Sequence, residues 1–274
     1  MQRILIKYGG NAMVNDDLRY QIIDRLVELK RKGHQIILVH GGGPFIAREL
    51  EKAGIHSEFI EGQRKTSAEA LIHVEMALKG QVNGRLVSIF NALGSKAVGL
   101  SGKDAAMVIA QERFHETTDE QGKPTKVSLG HVGDVETINT TLPELLLKND
   151  ITPVMTCIGT DKQGNDYNIN ADMLAGHLAG ALKADHFLVL TDIDGLRKDV
   201  NDAGSHIYEL STTQARQMFG KSIQGGMIPK IESCMIALET GAKKASIING
   251  TKPELVTQKI IHNKHVGTTI ISKH

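Results

Sequence analysis

The sequence predicts an α/β protein, a three-layer αβα sandwich with an open, mainly parallel sheet. Two apolar segments rich in β-branched residues, Arg3–Lys7 and Ile36–His40, lead into glycine-rich loops and are predicted to be buried strands. Between them, apolar residues recur at three- and four-residue steps from Leu18 to Leu29, which predicts a helix that stops at Gly33. A helix that connects two strands of one sheet in this way crosses over in a right-handed sense, and the two strands are then parallel. Both glycine loops therefore leave the same edge of the sheet, where ligands bind in open α/β sheets.

Helical and extended patterns alternate through the rest of the first two thirds of the chain. The predicted elements are a helix to about Ala53, a hairpin over 58–66 that projects Arg64, helical stretches Ala68–Leu78 and Val82–Leu93, a strand Ala97–Leu100, a hairpin over 107–135, a helix Pro143–Lys148, a strand Ile151–Thr156, and a helix opened by Tyr167–Asp172. We expect the 107–135 hairpin to lie over the ligand-binding edge.

The last third repeats the same alternation. Its predicted elements are a strand His186–Leu190 with a turn after it, a helix from Thr212 to about Gly220, a longer helix that follows 225–230 and ends at Thr240, a strand Ala245–Ile248 and a last strand Thr269–Ser272. Neither a linker nor a low-complexity run divides the chain, so any two lobes are expected to be closely packed.

Composition limits the classes of partner. Lys and Arg number 32 against 31 Asp and Glu, so the chain carries no basic field for nucleic acid or an anionic membrane surface. No apolar run approaches the roughly 20 residues that span a bilayer, and we expect a cytoplasmic protein with small-molecule ligands. Cys157 and Cys234 lie in separate apolar segments and are expected to be free thiols, and the 12 histidines show no metal-ligand spacing.

Two familiar nucleotide-binding patterns are absent. Residues 215–222 nearly match the phosphate loop of P-loop NTPases, but Ala215 replaces the first glycine and the preceding residues predict a helix instead of a strand. The Gly-x-Gly-x-x-Gly pattern of nicotinamide enzymes does not follow either N-terminal strand. A nicotinamide enzyme is therefore disfavoured.

The loop after the first strand favours an anionic ligand. Gly9 and Gly10 expose backbone N–H groups that no side chain shields, and Lys7 beside them supplies a full positive charge. Taken alone, the same residues also suit an ordinary strand end followed by a turn, and both interpretations stay open on this evidence.

Seven short motifs occur in an order that resembles the amino-acid kinase family, and the resemblance covers essentially the whole chain. They begin at Lys7-Tyr8-Gly9-Gly10-Asn11-Ala12-Met13 and continue with His40-Gly41-Gly42-Gly43-Pro44, Gly62-Gln63-Arg64-Lys65-Thr66, Leu129-Gly130-His131-Val132-Gly133, Asn168-Ile169-Asn170-Ala171-Asp172, Thr191-Asp192-Ile193-Asp194-Gly195 and Gly225-Gly226-Met227-Ile228-Pro229-Lys230. The Arg64 segment and Asn168–Asp172 resemble the branch that acts on acylated glutamate.

The resemblance implies transfer of the γ-phosphoryl group of ATP to the side-chain carboxylate of N-acetyl-L-glutamate. Such a carboxylate, with an ordinary pKa of about 4.3, is already ionised at neutral pH and needs no general base. Catalysis then consists of positioning and charge neutralisation. The resemblance assigns the two cations to Lys7 and Lys230, and it gives Asp172 the task of orienting both lysines.

The resemblance also supplies the binding residues. Gly42 and Gly43 would offer backbone N–H groups to the substrate carboxylate, and Gly10 would line the phosphoryl site. Arg64 would hold the α-carboxylate in a fork and Asn168 would bond the acetamido group, although a solvated hairpin tip and a turn residue are the plain alternatives. The nucleotide would bind the segment Thr191, Asp192, Ile193, Asp194, Gly195 and Leu196, with magnesium carried by ATP and no protein cage of carboxylates.

The same resemblance divides the chain into residues 1–183, for acetylglutamate binding and dimerisation, and residues 184–274, for ATP. Two rival functions remain: a kinase of this fold for an aminoadipate or glutamate group on a carrier protein, and a non-catalytic ligand sensor.

Members of the resembled family that are inhibited by arginine carry an extra N-terminal helix, and a His and a Glu near the C-terminus. Here the first strand starts at about Arg3, and Ser246 and Lys264 stand at those two positions. We therefore expect a homodimer with little inhibition by L-arginine.

Overall fold

The computed structural model describes residues 1–60, 63–118, 122–199 and 201–272. Within these residues the strands, numbered along the chain, are β1 (Arg3–Tyr8), β2 (Gln35–His40), β3 (Glu58–Ile60), β4 (Gln63–Lys65), β5 (Ala97–Ser101), β6 (Val108–Thr118), β7 (Pro124–Ile138), β8 (Thr152–Thr156), β9 (Ile158–Thr160), β10 (Asp166–Ile169), β11 (His186–Thr191), β12 (Glu209–Ser211), β13 (Ala245–Asn249) and β14 (Thr268–Ile271).

The helices of the same residues pack on both faces of the main sheet. They are α1 (Asp16–Arg31), α2 (Gly43–Lys52), α3 (Ala68–Glu75), α4 (Gly84–Ala92), α5 (Thr141–Lys148), α6 (Ala171–Ala181), α7 (Thr212–Met218), α8 (Met227–Thr240) and α9 (Glu254–Ile260). None of these described helices is long and apolar enough to cross a bilayer.

The main sheet has eight strands in the order β12-β14-β13-β11-β1-β2-β8-β5. The six strands from β13 to β5 are parallel, whereas β14 runs antiparallel to β13. The prediction of a mainly parallel sheet is confirmed. β1 occupies the middle, where Lys7 lies between Val39 of β2 and Val189 of β11.

Alternation along β1 explains the three layers. Ile4, Ile6 and Tyr8 pack with α1, α4 and α9 on one face, and Leu5 packs with α2, α3, α6 and α8 on the other. By the same alternation Lys7 points to the face of Leu5, toward α6. The predicted αβα sandwich is confirmed, and its central strand delivers a lysine to the side where α6 begins.

A small closed barrel of β6, β7, β9 and β10 stands beside the main sheet. Its long hairpin of β6 and β7 confirms the predicted excursion over 107–135. Residues 119–121, part of the segment predicted to divide this hairpin, lie outside the described residues. The prediction that Tyr167–Asp172 opens a helix is wrong for its first half. Tyr167 and Ile169 are buried in β10, which pairs with β9, and the helix begins only at Ala171.

The predicted break between the helical stretches Ala68–Leu78 and Val82–Leu93 is also wrong. A π-helical segment, Met76–Asn83, joins α3 to α4 without interruption. Ala77, Leu78 and Val82 of this π segment are buried, and their packing outweighs the tendency of Gly80 to interrupt a helix. Three short elements, β9, β12 and α9, were not predicted at all.

Candidate active site

The carboxyl ends of β1 and β2 open into a cleft of about 350 Å³. Seven of the residues that the sequence singles out line it together: Lys7, Gly10, Gly42, Gly43, Arg64, Asn168 and Asp172. A second cleft, of about 470 Å³, lies on the other side of Gly9 and Gly10 and is lined by Lys230 and by Thr191, Asp192 and Ile193. Gly9 and Gly10 line both clefts, so a group bound over this loop would be adjacent to the ligands of both clefts.

Asp172 lies between the two lysines. Its Oδ1 is 2.9 Å from Lys7 Nζ, an ion pair whose angles are poor for a hydrogen bond, and its Oδ2 accepts a hydrogen bond from Lys230 Nζ at 3.2 Å. The Asp172 residue is 6% exposed, and the side chains of Lys7 and Lys230 are 7% and 19% exposed. One carboxylate thus holds two ammonium groups at the junction of the two clefts.

The charges within this triad, Lys7–Asp172–Lys230, shift the pKa of Asp172 and of Lys230. Burial by itself raises the pKa of the Asp172 carboxyl, but the neighbouring charges of Lys7 and Lys230 outweigh burial and hold the pKa below its ordinary value. For Lys230, burial lowers the ammonium pKa, Lys7 lowers it further, and Asp172 offsets part of the loss. The triad carries a net charge of +1 at neutral pH, which suits an anionic ligand.

The start of α6 places Asp172. Asn170 caps this helix, and its Oδ1 accepts hydrogen bonds from the backbone N–H of Asp172 at 2.9 Å and of Met173 at 3.3 Å. Asp172 is therefore fixed in the first helical turn, where a negative charge is also favoured by the helix dipole. Asn170 belongs to one of the quoted motifs, but its role as the cap was not predicted.

Gly42 and Gly43 form the start of α2 and line the first cleft. Gly42 is the N-cap residue of this helix, and a Cβ at its position would lie 2.7 Å from Leu78 Cδ2 of the π segment. A side chain at position 42 would therefore have to displace the end of the Leu78 side chain. Gly10 has a φ of +73°, which also favours glycine.

Arg64 lies on β4 of the predicted hairpin, which is confirmed. Its guanidinium stacks 4.6 Å from the centroid of the Phe59 ring and donates to Ser57, and no described carboxylate pairs with it. Gly62 of the same motif lies outside the described residues. A second arginine, Arg113 of β6, lines the same cleft and pairs with Asp134 at 2.7 Å. Sequence reasoning missed Arg113, although it lies on the hairpin predicted to cover this edge.

Asn168 lies within β10 and lines the first cleft, so the alternative of a turn residue is wrong. Cys157 lines the same cleft at the end of β8 and was not predicted to do so. Burial raises the pKa of the Cys157 thiol to about 11, which keeps it neutral.

The predicted nucleotide segment follows β11 and divides into two parts. Thr191, Asp192 and Ile193 line the second cleft, and Asp192 to Leu196 line a third cleft of about 560 Å³. Asp194 is tied to Lys252 at 2.7 Å and to Asn249 at 2.8 Å, which fixes the turn. Gln224 and Met227 line both clefts at the start of α8. Gln224 immediately precedes the quoted motif 225–230 and Met227 lies within it, but neither was predicted to bind the nucleotide.

No cluster of three or more His, Cys, Asp or Glu side chains suited to a metal ion occurs in the part of the chain that the structure describes.

Comparison with known proteins gives the family of this chain. A model described as the amino acid kinase family matches residues 2–249. The acetylglutamate kinase of Methanococcus maripaludis (strain C6) is 44% identical over 273 residues, 99% of this chain and 92% of that protein. The crystal structure of smu.665 from Streptococcus mutans UA159 is 28% identical, with a TM-score of 0.77 over 98% of both chains. Carbamate kinase from Giardia lamblia bound to AMP-PNP shares the fold at 16% identity, with a TM-score of 0.67 over 99% of both chains.

Proposed function

The chain belongs to the amino acid kinase family, and we propose that it transfers the γ-phosphoryl group of ATP to the γ-carboxylate of N-acetyl-L-glutamate. The observation that carries this function is the buried Lys7–Asp172–Lys230 triad at the junction of two clefts. A protein that merely bound a ligand would have little need for two ammonium groups that converge on one carboxylate. Transfer of a phosphoryl group between two anions needs both ammonium groups, because negative charge is present on the attacking and on the leaving side.

The reaction requires no proton transfer. An oxygen of the ionised γ-carboxylate attacks the γ-phosphorus, the bond from that phosphorus to the bridging oxygen breaks, and ADP leaves with the electron pair. Lys7 and Lys230 neutralise the charge on the equatorial and leaving oxygens as it develops. Asp172 does not act as a base, because the two lysines lower its pKa; it positions their ammonium groups.

The first cleft is assigned to acetylglutamate. Arg64 grips the α-carboxylate, Asn168 bonds the acetamido group, and the amides of Gly42 and Gly43 receive the γ-carboxylate, an anion at a helix start. The absence of a described acidic partner for Arg64 supports its role, since the guanidinium is available for a ligand carboxylate. Gly10 lines the phosphoryl path between the clefts.

The second and third clefts are assigned to ATP, with the phosphates near Lys230 and the adenosine along Thr191–Leu196. We propose that magnesium arrives with the nucleotide, bound by phosphate oxygens and water, because the described residues offer no carboxylate cage. When bound, the ion neutralises phosphate charge.

The larger assembly is part of the same proposal. Residues 1–183 would bind acetylglutamate and form a homodimer, and residues 184–274 would bind ATP. Ile72 and Met76, which are 61% and 51% exposed one turn apart on the helix of α3 and the π segment, supply apolar surface for such a contact. We also propose a cytoplasmic location and little inhibition by L-arginine.

The test is a hydroxamate assay for acyl phosphate with ATP and magnesium. N-acetyl-L-glutamate is run beside glutamate, aspartate and UMP, and a signal with acetylglutamate alone is expected. A lack of signal with free acetylglutamate would overturn the assignment.

A further inference from the structure

A buried row of hydrogen bonds connects the core of the sheet to the glycine loop after β2. Asn83, in the last position of the π segment, donates from Nδ2 to the Val154 carbonyl at 2.9 Å. The same Nδ2 lies 2.9 Å from His40 Nε2, and His40 Nδ1 lies 2.9 Å from the Gly41 carbonyl oxygen. His40 is fully buried and Asn83 is 2% exposed. The row therefore exchanges none of its bonds with solvent.

The arrangement allows one assignment of protons. The Val154 carbonyl can only accept, so the amide atom of Asn83 that faces it must be the nitrogen. The second hydrogen of this nitrogen then points at His40 Nε2, which must accept and carry no proton. The neutral ring consequently holds its proton on Nδ1 and donates it to the Gly41 carbonyl. Burial lowers the pKa of His40 to about 4, so this neutral form persists at neutral pH.

This donated bond sets the direction of the next amide. The Gly41 carbonyl and the Gly42 N–H belong to one trans peptide group, in which they point in opposite directions. Since His40 holds the carbonyl toward the core, the Gly42 N–H points away from it, toward the first cleft. Gly41 N–H donates to the Tyr8 carbonyl at 3.0 Å, whereas no backbone hydrogen bond from the Gly42 amide occurs among the described residues.

We propose that His40 and Asn83 are positioning residues, which fix the Gly41–Gly42 peptide so that the Gly42 N–H is aimed at the reacting carboxylate of the substrate. This inference rests on the proposed function for the identity of the carboxylate, but the peptide orientation does not depend on it. Leu78 and Val82 of the same π segment lie close to Gly42, since a Cβ at position 42 would be 2.7 Å from Leu78 Cδ2 and 3.4 Å from Val82 Cγ2. The π segment thus supports the loop through both packing and hydrogen bonding.

The test compares two substitutions at one site. His40→Leu keeps the volume and removes the donor, and it is expected to raise KM for acetylglutamate about tenfold while KM for ATP changes less than about twofold, a difference of about 1.4 kcal/mol in binding. His40→Asn places an amide nitrogen where Nδ1 lies and is expected to keep KM for acetylglutamate within about threefold of wild type. An equal effect of the two variants, or no effect of His40→Leu, would overturn the proposal.

A matched control and a second variant distinguish the loss of the hydrogen bond from a general folding defect. Thr156 lies opposite His40 in the register of β2 and β8 and is equally buried, but it makes no hydrogen bond to His40 or Asn83, so Thr156→Val should leave both KM values unchanged. Asn83→Ala removes the group that fixes the tautomer and should raise KM for acetylglutamate in the direction of His40→Leu. If His40→Leu does not fold, Asn83→Ala decides the test. A KM for acetylglutamate in Asn83→Ala as low as that in Thr156→Val would then overturn the proposal.

One further readout does not need the substrate. The ¹³C shift of the Gly41 carbonyl reports the hydrogen bond from His40 and is expected to change in His40→Leu and to stay near the wild-type value in His40→Asn. An unchanged shift in His40→Leu would refute the peptide positioning. Failure of the wild-type protein to phosphorylate acetylglutamate, with the shift behaving as expected, would refute the proposed function alone.

Discussion

Replacing Asp172 by asparagine leaves two buried ammonium groups without a counter-charge. The triad then carries +2 instead of +1, while the side chains of Lys7 and Lys230 remain 7% and 19% exposed. Breaking a buried ion pair costs about 3–5 kcal/mol because the remaining charge is uncompensated. For a chain of this size each kcal/mol shifts Tm by about 2–4 °C, so Tm should fall by roughly 6–20 °C. Turnover should fall by about 10²- to 10³-fold, since neither lysine is held in place.

The assay combines thermal unfolding with steady-state kinetics. Glu136→Gln is the matched control, because Glu136 pairs with Lys162 at the exposed surface, where such a pair contributes only about 0–1 kcal/mol. Adding Lys230→Met to Asp172→Asn returns the net charge to +1, so the double variant should be more stable than Asp172→Asn and still inactive. Asp172→Asn that unfolds at the same temperature as Glu136→Gln, or a double variant that is less stable, would refute the reasoning.

Three further outcomes follow from contacts described above. Arg64→Lys should raise KM for acetylglutamate and leave KM for ATP unchanged, because an ammonium cannot reproduce a bidentate grip; an equal rise in both would mean that Arg64 supports the fold. Gly42→Ala should raise KM for acetylglutamate more than Gly43→Ala, because the new methyl group meets Leu78 in the first case and nothing within 4 Å in the second; the reverse order would contradict this contact. Denaturant titrations should show the unfolding free energy falling as the pH drops from about 6.5 to about 4, by up to roughly 3 kcal/mol from His40, because its lowered pKa makes the unfolded chain bind the proton more readily. This dependence should shrink in His40→Asn, and equal pH dependence in both proteins would exclude His40 as its source.

Local patterns predicted the parts of the site that follow strands. β1 and β2 each contain a short apolar run and are followed directly by a glycine-rich loop, so their loops and the common edge could be predicted without tertiary information. The order of Asn168, Asp172 and Lys230 in their motifs indicated residues that the fold brings together, although their spacing alone gives no distance. The resemblance supplied their expected roles.

Elements that are decided by strand pairing or by tertiary packing, and not by the local pattern, could not be predicted. Tyr167 and Ile169 alternate as strand residues do, but a segment this short is decided by the β9 partner, and the helix signal that follows obscured it. Gly80 suggested a break that packing of the π segment overrides. The link between His40 and Asn83 joins residues 43 positions apart, and nothing in either local sequence indicates the other.

The central position of β1 has a consequence for how the chain is synthesised. One edge of β1 pairs with β2, which follows soon after it, but the other edge pairs with β11, and the Arg3 N–H finds its acceptor in Asp185, 182 residues away. At a translation rate of roughly 5–20 residues per second, that edge waits about 10–40 s for its partner. An unpaired apolar strand invites association with other chains, and pairing across such a separation is slow. The nascent protein must therefore protect its central strand, by its own early packing or by a chaperone, until most of the chain has left the ribosome.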